Sequence, residues 1–242
     1  MDKYQEVVYG NYKVSHYPRK LGWKLIWDHM REAERTETNG RPKGSKILDV
    51  GAGDGTYVRC FNSYGFQAYG IEANVNFKYH IPSNKIVATL NKEILDFNKD
   101  KLPYEDNTFD YVFSKSVIEH VYNTEFFLSE IKRVLKPKGK LLILTPAWDY
   151  NYRWFYDDPT HVKPFNHKGL QDALRLADFK QVKVKYFYHL PFVWKYTKLG
   201  TWITRIIRLL PDEWRWWDWE QQKMNVLIRF SKEVQLLGIA EK

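Results

Sequence analysis

The sequence predicts an α/β fold in which helices cover both faces of one open, mostly parallel sheet. Short apolar runs rich in β-forming residues alternate along the chain with amphipathic segments of helical length. The run at 46–50 leads directly into three alternate glycines that open a helix, as buried strands of such sheets do. A chain of 242 residues suits one domain of this kind with an insertion.

We expect residues 1–44 to form an N-terminal cap and residues 45–242 to form the main domain. The cap contains a predicted helix over 19–35, whose apolar residues Trp23, Ile26, Trp27 and Met30 recur at helical spacing and would be buried. Seven strands are predicted, at 46–50, 68–72, 85–90, 111–114, 140–145, 182–188 and 234–240. Helices are predicted at 56–63, 124–135 and 168–177, and 136–139 reads as a proline and glycine turn.

An insertion rich in tryptophan, residues 189–225, precedes the last predicted strand. Within it, a predicted helix over 195–210 carries basic residues on one side and aliphatic residues on the other, with no acidic residue. This pattern is typical of a lid whose apolar side covers a pocket. It is also typical of a helix that lies on a membrane surface, so both interpretations stay open.

The glycine loop after the first strand predicts a ligand site. Gly51, Gly53 and Gly55 can adopt positive φ and let a ligand lie against the backbone at the start of a helix. Asp49 and Asp54 argue against a phosphate there and favour a ligand that carries a cation or hydroxyl groups. The spacing G-x-G-x-G also departs from the dinucleotide fingerprint G-x-G-x-x-G.

A second acid at a strand end supports the same site. The predicted strand at 68–72 ends in Glu72, at the place where a carboxylate binds ribose hydroxyls in a βαβ unit. The two signals are independent in sequence and agree on a nucleoside ligand.

With these residues the chain resembles the class I S-adenosylmethionine-dependent methyltransferases. The matching segments are 49–55 (DVGAGDG), Glu72, 102–112 (LPYEDNTFDYV), 117–121 (VIEHV) and 133–139 (RVLKPKG). They occur in the family's order over about residues 45 to 180. The resemblance implies a seven-stranded doubly wound sheet with an antiparallel last strand, and S-adenosyl-L-methionine as the cofactor.

The resemblance also implies the donor site. Asp49 would approach the ammonium group of the donor, the backbone of Gly51 and Gly53 would border its amino acid part, and Glu72 would bind its ribose. For the adenine, alignment favours Glu93, while the pattern of an acid before an apolar residue favours Asp96. The other residues assigned to the donor site are Ala52, Asp54, Ala73, Ile94, Ser114 and Lys115.

Two histidines are candidates for the general base. An imidazole near its ordinary pKa can take a proton from a hydroxyl group, and His120 and His161 both follow predicted strands at the ligand edge of the sheet. Asp157 or Asp158 could orient His161, in an aromatic segment, 148–165, that we expect to wall the acceptor pocket. Some relatives bind a metal through Glu-x-x-Glu-His, but here Ser116 replaces the first glutamate, so no metal is predicted.

We therefore expect an enzyme that methylates an oxygen of a small or lipid-linked acceptor, glycan or quinone-like. The alternatives are an RNA or protein N-methyltransferase and a scaffold that binds S-adenosylmethionine without turnover. The net charge of +9 is spread along the chain without a dense basic block, which makes a nucleic-acid partner unlikely. One cysteine, Cys60, and the lack of long apolar runs predict a cytoplasmic protein with at most peripheral membrane contact, through 195–219.

Overall fold

The structure is a computed structural model, and it describes residues 17–30, 44–53, 55–73, 95–218 and 223–242. The predicted strand at 85–90 and the predicted site residues Asp54, Glu93 and Ile94 lie outside the described residues.

Six strands of the described chain form one mixed sheet, which confirms the predicted fold class. In chain order they are β1 (Lys46–Val50), β2 (Gln67–Ile71), β3 (Phe109–Lys115), β4 (Leu135–Pro146), β5 (Lys180–Phe187) and β8 (Gln235–Glu241). Their order across the sheet is β2-β1-β3-β4-β8-β5. Strands β1 to β4 pair in parallel, whereas β8 is antiparallel to both β4 and β5, as predicted for the last strand. Two short strands, β6 (Trp216–Asp218) and β7 (Lys223–Met224), pair separately.

The helices connect these strands on both sides of the sheet. They are α1 (Tyr17–Leu25, continued by a π-helix Ile26–Met30), α2 (Thr56–Ser63), α3 (Thr124–Val134), α4 (Trp148–Asn151), α5 (His167–Leu176), α6 (Pro191–Lys195), α7 (Thr197–Ile207) and α8 (Val226–Lys232). Short 3-10 turns occur at Ile118–His120, Phe155–Asp157 and Asp212–Arg215. Among the described residues, none of the helices combines the length and apolar character that crossing a bilayer requires.

Asparagine side chains fix the starts of three helices. The Oδ1 atoms of Asn123, Asn166 and Asn225 accept hydrogen bonds from backbone N–H groups three residues later, at 3.2, 2.7 and 3.2 Å. These bonds satisfy amide groups that a helix cannot pair internally. The Asn123 bond sets where α3 begins behind the site.

Two apolar layers sandwich the sheet because alternate residues of each strand point to opposite faces. Leu48 and Val112 belong to the layer that includes α3 and α5, whereas Ile47 and Phe113 belong to the layer that includes α1 and α2. In α1, Trp23 is 42% exposed, so its predicted burial is wrong. Its ring lies 5.3 Å from that of Tyr64, at the rim of the layer.

The predicted turn at 136–139 lies within β4 as an irregularity. Pairing with β3 passes from Phe109 opposite Leu135 directly to Tyr111 opposite Lys140. Lys138, within this irregular segment, has a φ of 64°. The strand therefore begins five residues earlier than predicted, because Leu135 already pairs with β3 before this irregular segment and the pairing resumes at Lys140.

Candidate functional site

The glycine loop lies at the carboxyl end of β1, between the ends of β2 and β3. Ligands of open α/β sheets bind at such a position, where the strand order reverses. Gly51, Gly53 and Gly55 have φ values of 78°, 51° and 71°, a region that side chains with a Cβ seldom occupy. The backbone N–H groups of Gly51 and Ala52 donate to the carbonyl oxygen of Ile71, at 2.8 and 3.0 Å, and tie the loop to β2.

Gly51 and Gly53 meet different surroundings. A Cβ on Gly51 would lie 2.1 Å from Cγ2 of Val117, so this glycine is required for packing within the protein. A Cβ on Gly53 would have no atom within 4 Å among the described residues. The open space beside Gly53 is what a ligand lying against the loop needs, so the loop fits the predicted cofactor.

Acidic and hydroxyl side chains surround this loop. Asp49, at 2% exposure, is buried near the end of β1, and Glu72 is half-buried directly after β2. The Gly53 N–H donates to Oε2 of Glu72 at 2.7 Å, so the second acid of the motif reaches the glycine loop itself. Ala73 packs against the core beside it.

Ser114, near the end of β3, carries a buried hydroxyl group that has no hydrogen-bond partner among the described residues. A buried hydroxyl that makes no hydrogen bond costs free energy, and a ligand at the sheet edge would supply the missing bond. Ser114 therefore fits its predicted place in the donor site.

Asp96 serves a local turn. Its Oδ1 atom accepts hydrogen bonds from the backbone and side-chain nitrogens of Asn98, at 3.0 and 2.8 Å. These bonds lower the pKa of the Asp96 carboxyl group, the backbone bond from Asn98 most. The assignment of Asp96 or Glu93 to the adenine stays a prediction, and Glu93 lies outside the described residues.

Lys115, the last residue of β3, lies near the carboxylates of Asp49 and Glu119. Burial lowers the pKa of its ammonium group, while the nearby carboxylates of Glu119 and Asp49 oppose that shift. Its Nζ atom lies 3.5 Å from Oγ of Ser116, which follows β3 with a φ of 57°. Backbone in this region is strained for a residue other than glycine, and such strain is common at functional sites.

His120 and His161 come together although they are separated by 41 positions in the sequence. Their ring centroids are 4.7 Å apart. The carbonyl oxygen of Glu119 accepts hydrogen bonds from the N–H groups of Val162 and Lys163, at 2.9 and 3.0 Å, and so holds the 158–163 loop beside His120.

Backbone carbonyl groups orient both rings. Nδ1 of His161 lies 2.5 Å from the oxygen of Phe155, and Nδ1 of His120 lies 3.2 Å from the oxygen of Thr160. A carbonyl oxygen only accepts, so each Nδ1 carries the hydrogen atom and each Nε2 presents a lone pair when the ring is neutral. Burial and the neighbouring His161 lower the pKa of His120, which keeps that ring neutral at neutral pH.

Asp158 holds this loop and faces both histidines. Its Oδ1 atom accepts from the backbone N–H and the hydroxyl group of Thr160, at 2.9 and 2.6 Å, and that hydroxyl oxygen lies 2.9 Å from Nδ1 of His120. Its Oδ2 atom is 3.9 Å from Nε2 of His161. Asp157 instead points towards Arg215, at 3.9 Å. Asp158 thus lies beside His161, and the orienting role of either acid stays a prediction.

Glu119 is fully buried beside the two histidines. Its Oε2 atom accepts a hydrogen bond from the hydroxyl group of Thr145 at 2.9 Å, and its Oε1 atom has no partner among the described residues. Burial raises the pKa of its carboxyl group to about 7. One ligand atom from each of Glu119, His120 and His161 lies within 4.8 Å of the others, which is close enough for one cation to contact all three.

A hydrogen-bonded chain of side chains continues from Ser116. Nε2 of Gln235 donates to Oγ of Ser116 at 3.3 Å, and Oε1 of Gln235 lies 2.7 Å from Nε2 of His189. Burial and the charge of Lys115 lower the pKa of His189 to about 3, so this histidine is neutral and acts as a hydrogen-bonding group.

The structure thus brings together Asp49, Gly51, Gly53 and Glu72 on one side and His120 with His161 on the other. Sequence reasoning did not name His189 or Gln235, and it considered Glu119 only within the metal motif. The position of His189 could have been inferred, because it comes just after β5. The carboxyl end of β5 lies at the same edge of the sheet as the carboxyl end of β3, where Ser114 is found. Gln235 lies there because β8 is antiparallel and begins at the edge where the other strands end.

Comparisons with known proteins agree with this architecture. Residues 48–143 match the family model described as a methyltransferase domain. The chain is 36% identical over 103 residues to phosphoethanolamine N-methyltransferase 2 of Caenorhabditis elegans, covering 41% of this chain and 23% of that protein. It is 31% identical over 156 residues to ubiquinone biosynthesis O-methyltransferase of Bartonella bacilliformis, covering 56% of this chain and 62% of that protein.

Among solved structures, the fold is similar to that of an S-adenosylmethionine-dependent methyltransferase from Archaeoglobus fulgidus. The TM-score is 0.60 at 17% sequence identity, over 99% of this chain and 98% of the other. The chain spans less than two thirds of the length of both curated relatives named above. In agreement with the positive-φ glycine loop, the two strand-end acids and the antiparallel last strand, these matches show a methyltransferase domain at residues 48–143, in a chain whose fold is similar to that of an S-adenosylmethionine-dependent methyltransferase.

Proposed function

We propose that this protein transfers a methyl group from S-adenosylmethionine to a hydroxyl oxygen of a small or lipid-linked acceptor, quinone-like or glycan. The observation that carries the proposal is the pair of neighbouring imidazoles, His120 and His161, each with Nδ1 bonded to a carbonyl oxygen, which leaves Nε2 as the proton acceptor of a neutral ring. A hydroxyl group must lose its proton as it attacks the methyl carbon, so it needs such a base.

The donor side would hold the cofactor in the orientation that transfer requires. S-adenosylmethionine supplies an activated methyl group on its sulfonium centre. Asp49 would attract the ammonium group of the donor, Glu72 would accept hydrogen bonds from the ribose, and the open side of Gly53 would lie against it. The protein then contributes mainly alignment of the acceptor oxygen with the methyl carbon and sulfur.

On the acceptor side we assign His120 as the base and His161 as the residue that positions it. Nε2 of His120 would take the hydroxyl proton. The resulting positive charge would be stabilised by Asp158 through the Thr160 hydroxyl group, which lies 2.6 Å from Oδ1 of Asp158 and 2.9 Å from Nδ1 of His120. These contacts keep the hydrogen atom of the neutral His120 ring on Nδ1, so that Nε2 is free to accept the proton.

We propose no metal in this step. Ser116 stands where metal-binding relatives carry a glutamate. A lipid-linked acceptor would be met at a membrane, so the proposal includes peripheral membrane contact through residues 195–219.

The test is a labelled-methyl assay with the purified protein and S-adenosylmethionine. Catechols and polyprenyl-substituted dihydroxybenzenes represent the proposed acceptors, while phosphoethanolamine, RNA and protein fractions represent nitrogen acceptors. We expect methyl ethers from the first group, with turnover unchanged after chelation by EDTA. Transfer to nitrogen acceptors alone would overturn the proposal, and donor binding without any transfer would favour a scaffold. Loss of activity with EDTA, restored by Mg²⁺, would assign a metal to Glu119, His120 and His161.

A further inference from the structure

We propose that the outward face of α7 docks on the surface of a bilayer that contains anionic phospholipid. This face, called here the α7 surface, consists of Tyr196, Lys198, Leu199, Trp202, Arg205, Ile206 and Leu209. The proposal rests on the proposed function for its biological purpose, since a lipid-linked acceptor would be reached at such a surface. Its readout is vesicle binding, which requires no turnover.

Large apolar side chains are exposed along the α7 surface. Leu199, Trp202 and Ile206 are 57%, 59% and 47% exposed, and Leu209, just after the helix, is 85% exposed. At about 3.6 residues per turn, positions 199, 202, 206 and 209 share one side of a helix. A contiguous apolar face of this kind marks a binding surface more often than a single exposed apolar residue does.

Small residues make the inward face of α7. Gly200 and Thr204 are buried, and a Cβ on Gly200 would lie 2.8 Å from Cα of Val193. The helix therefore packs closely against the protein through Gly200 and Thr204, and its larger side chains project outwards. A lid would bury the aliphatic side and expose the charged side. The structure exposes Leu199, Trp202 and Ile206 together with Lys198 and Arg205, which favours the membrane interpretation.

The charge of the α7 surface suits anionic lipid. Lys195, Lys198 and Arg205 are exposed, and residues 191–211 contain no aspartate or glutamate. Asp212, the next acid along the chain, is bonded to Arg153 and Lys232, at 2.6 and 2.8 Å. Basic residues at the flank of an apolar helix face attract lipid phosphates, while tryptophan and leucine enter the boundary between headgroups and acyl chains.

The helix is fixed relative to the acceptor side of the site. Nζ of the buried Lys232 donates to the carbonyl oxygens of Arg208 and Leu210, at 3.1 and 2.6 Å, where the carbonyl groups at the end of α7 lack helical partners. Before α7, Nε1 of Trp194 donates to the carbonyl oxygen of Tyr188 at 2.7 Å, next to His189. A docked α7 surface would therefore hold the acceptor side at the bilayer.

The experiment is co-sedimentation of the full chain with phosphatidylcholine vesicles, prepared with and without phosphatidylglycerol. We expect binding that depends on phosphatidylglycerol. The triple substitution Leu199→Ser, Trp202→Ser, Ile206→Ser should weaken it by about tenfold or more, and Lys198→Glu with Arg205→Glu should remove the phosphatidylglycerol dependence.

Matched controls carry the same kinds of change elsewhere. Leu176→Ser removes an 84% exposed leucine at the end of α5, and Lys180→Glu with Lys183→Glu reverses two exposed charges on β5. Both control proteins should bind vesicles like the unaltered protein. Retained donor binding in a thermal-shift assay shows that each variant is folded.

Three results would overturn the proposal: no pelleting of the unaltered protein, equal pelleting of the α7 variants, or equal losses in the controls. A dimer detected by light scattering and abolished by the triple substitution would assign the α7 surface to a second copy of the chain. Vesicle binding without methyl transfer would leave this proposal standing and refute the proposed function. Methyl transfer without vesicle binding would refute this proposal and the membrane contact included in the proposed function, and would leave the proposed reaction standing.

Discussion

The donor and acceptor sides of the site are built in different ways. The described donor side comes mostly from one stretch, residues 49–73, in which glycine backbone and two acids define the shape. The acceptor side is assembled from loops after β3, β4 and β5 and from the first residue of β8. The comparison teaches that a contiguous stretch can encode recognition of a fixed cofactor, whereas a variable acceptor is recognised by side chains that only the topology brings together.

The largest expected effect tests whether the acceptor side performs chemistry. We expect His120→Asn to lower turnover by about 10²–10⁴-fold, because asparagine can still donate to Thr160 but cannot accept the acceptor's proton. Donor affinity, measured by calorimetry, should be unchanged. In the unaltered protein, turnover should fall as pH falls through the pKa of His120, which lies below its ordinary value of 6.5.

His167→Gln is the matched control, since His167 bonds through Nε2 to the carbonyl oxygen of Val184, away from the His120–His161 pair. It should leave turnover unchanged. If His120→Asn retained full activity, His120 would not be the base. The proposed division between a donor side that binds the cofactor and an acceptor side that supplies the base would then be wrong.

The two glycines of the donor side should respond differently to alanine. Gly51→Ala combines positive φ with a Cβ that would meet Val117 at 2.1 Å, so we expect the free energy of unfolding to fall by about 2–5 kcal/mol. Gly53→Ala has only the backbone penalty, about 1–2 kcal/mol, but its Cβ would occupy the space proposed for the donor. Denaturant unfolding and donor calorimetry measure the two quantities. Gly53→Ala with unchanged donor affinity would show that the donor lies elsewhere.

Substitutions of Glu72 test its two roles, the proposed contact with the ribose and the hydrogen bond from the Gly53 N–H. We expect Glu72→Ala to weaken donor binding by about 1–3 kcal/mol, because the ribose hydroxyls and the Gly53 N–H lose their acceptor. Glu72→Gln keeps an oxygen for Gly53 and should lose less. If calorimetry gave the same donor affinity for Glu72→Ala and the unaltered protein, the ribose would not bind at Glu72.

The smallest effect concerns Glu119 and stability. Burial raises the pKa of its carboxyl group from 4.5 to about 7, so the folded protein prefers the neutral form. The resulting stabilisation is complete below the unfolded pKa and is lost as pH rises through about 7, a change of about 1 kcal/mol between about pH 6 and 8. Glu119→Gln should abolish this part of the pH dependence in denaturant unfolding. An unchanged slope would mean that Glu119 is ionised in the folded protein.

The sequence predicts the sheet well because its strands are apolar runs bounded by clear turn signals. Helix α2 and strand β1 begin and end where expected, since glycine and alternating burial act locally. The prediction that Trp23 is buried is wrong, because helical spacing identifies the apolar face of a helix but does not show how far the neighbouring apolar layer extends. Contacts of the acceptor side, such as Gln235 with Ser116 across 119 positions, depend on strand order, which no local pattern specifies.

The antiparallel direction of β8 has a practical consequence for protein engineering. Its first residue, Gln235, contacts Ser116 at the site, while its last residues lie at the opposite edge of the sheet. There Nζ of Lys242 donates to the carbonyl oxygens of Arg133 and Leu135, at 3.1 and 2.7 Å. A fluorophore attached at this edge of the sheet would therefore lie far from the candidate site, whereas a substitution that removes the Lys242 bonds would loosen the strand that carries Gln235.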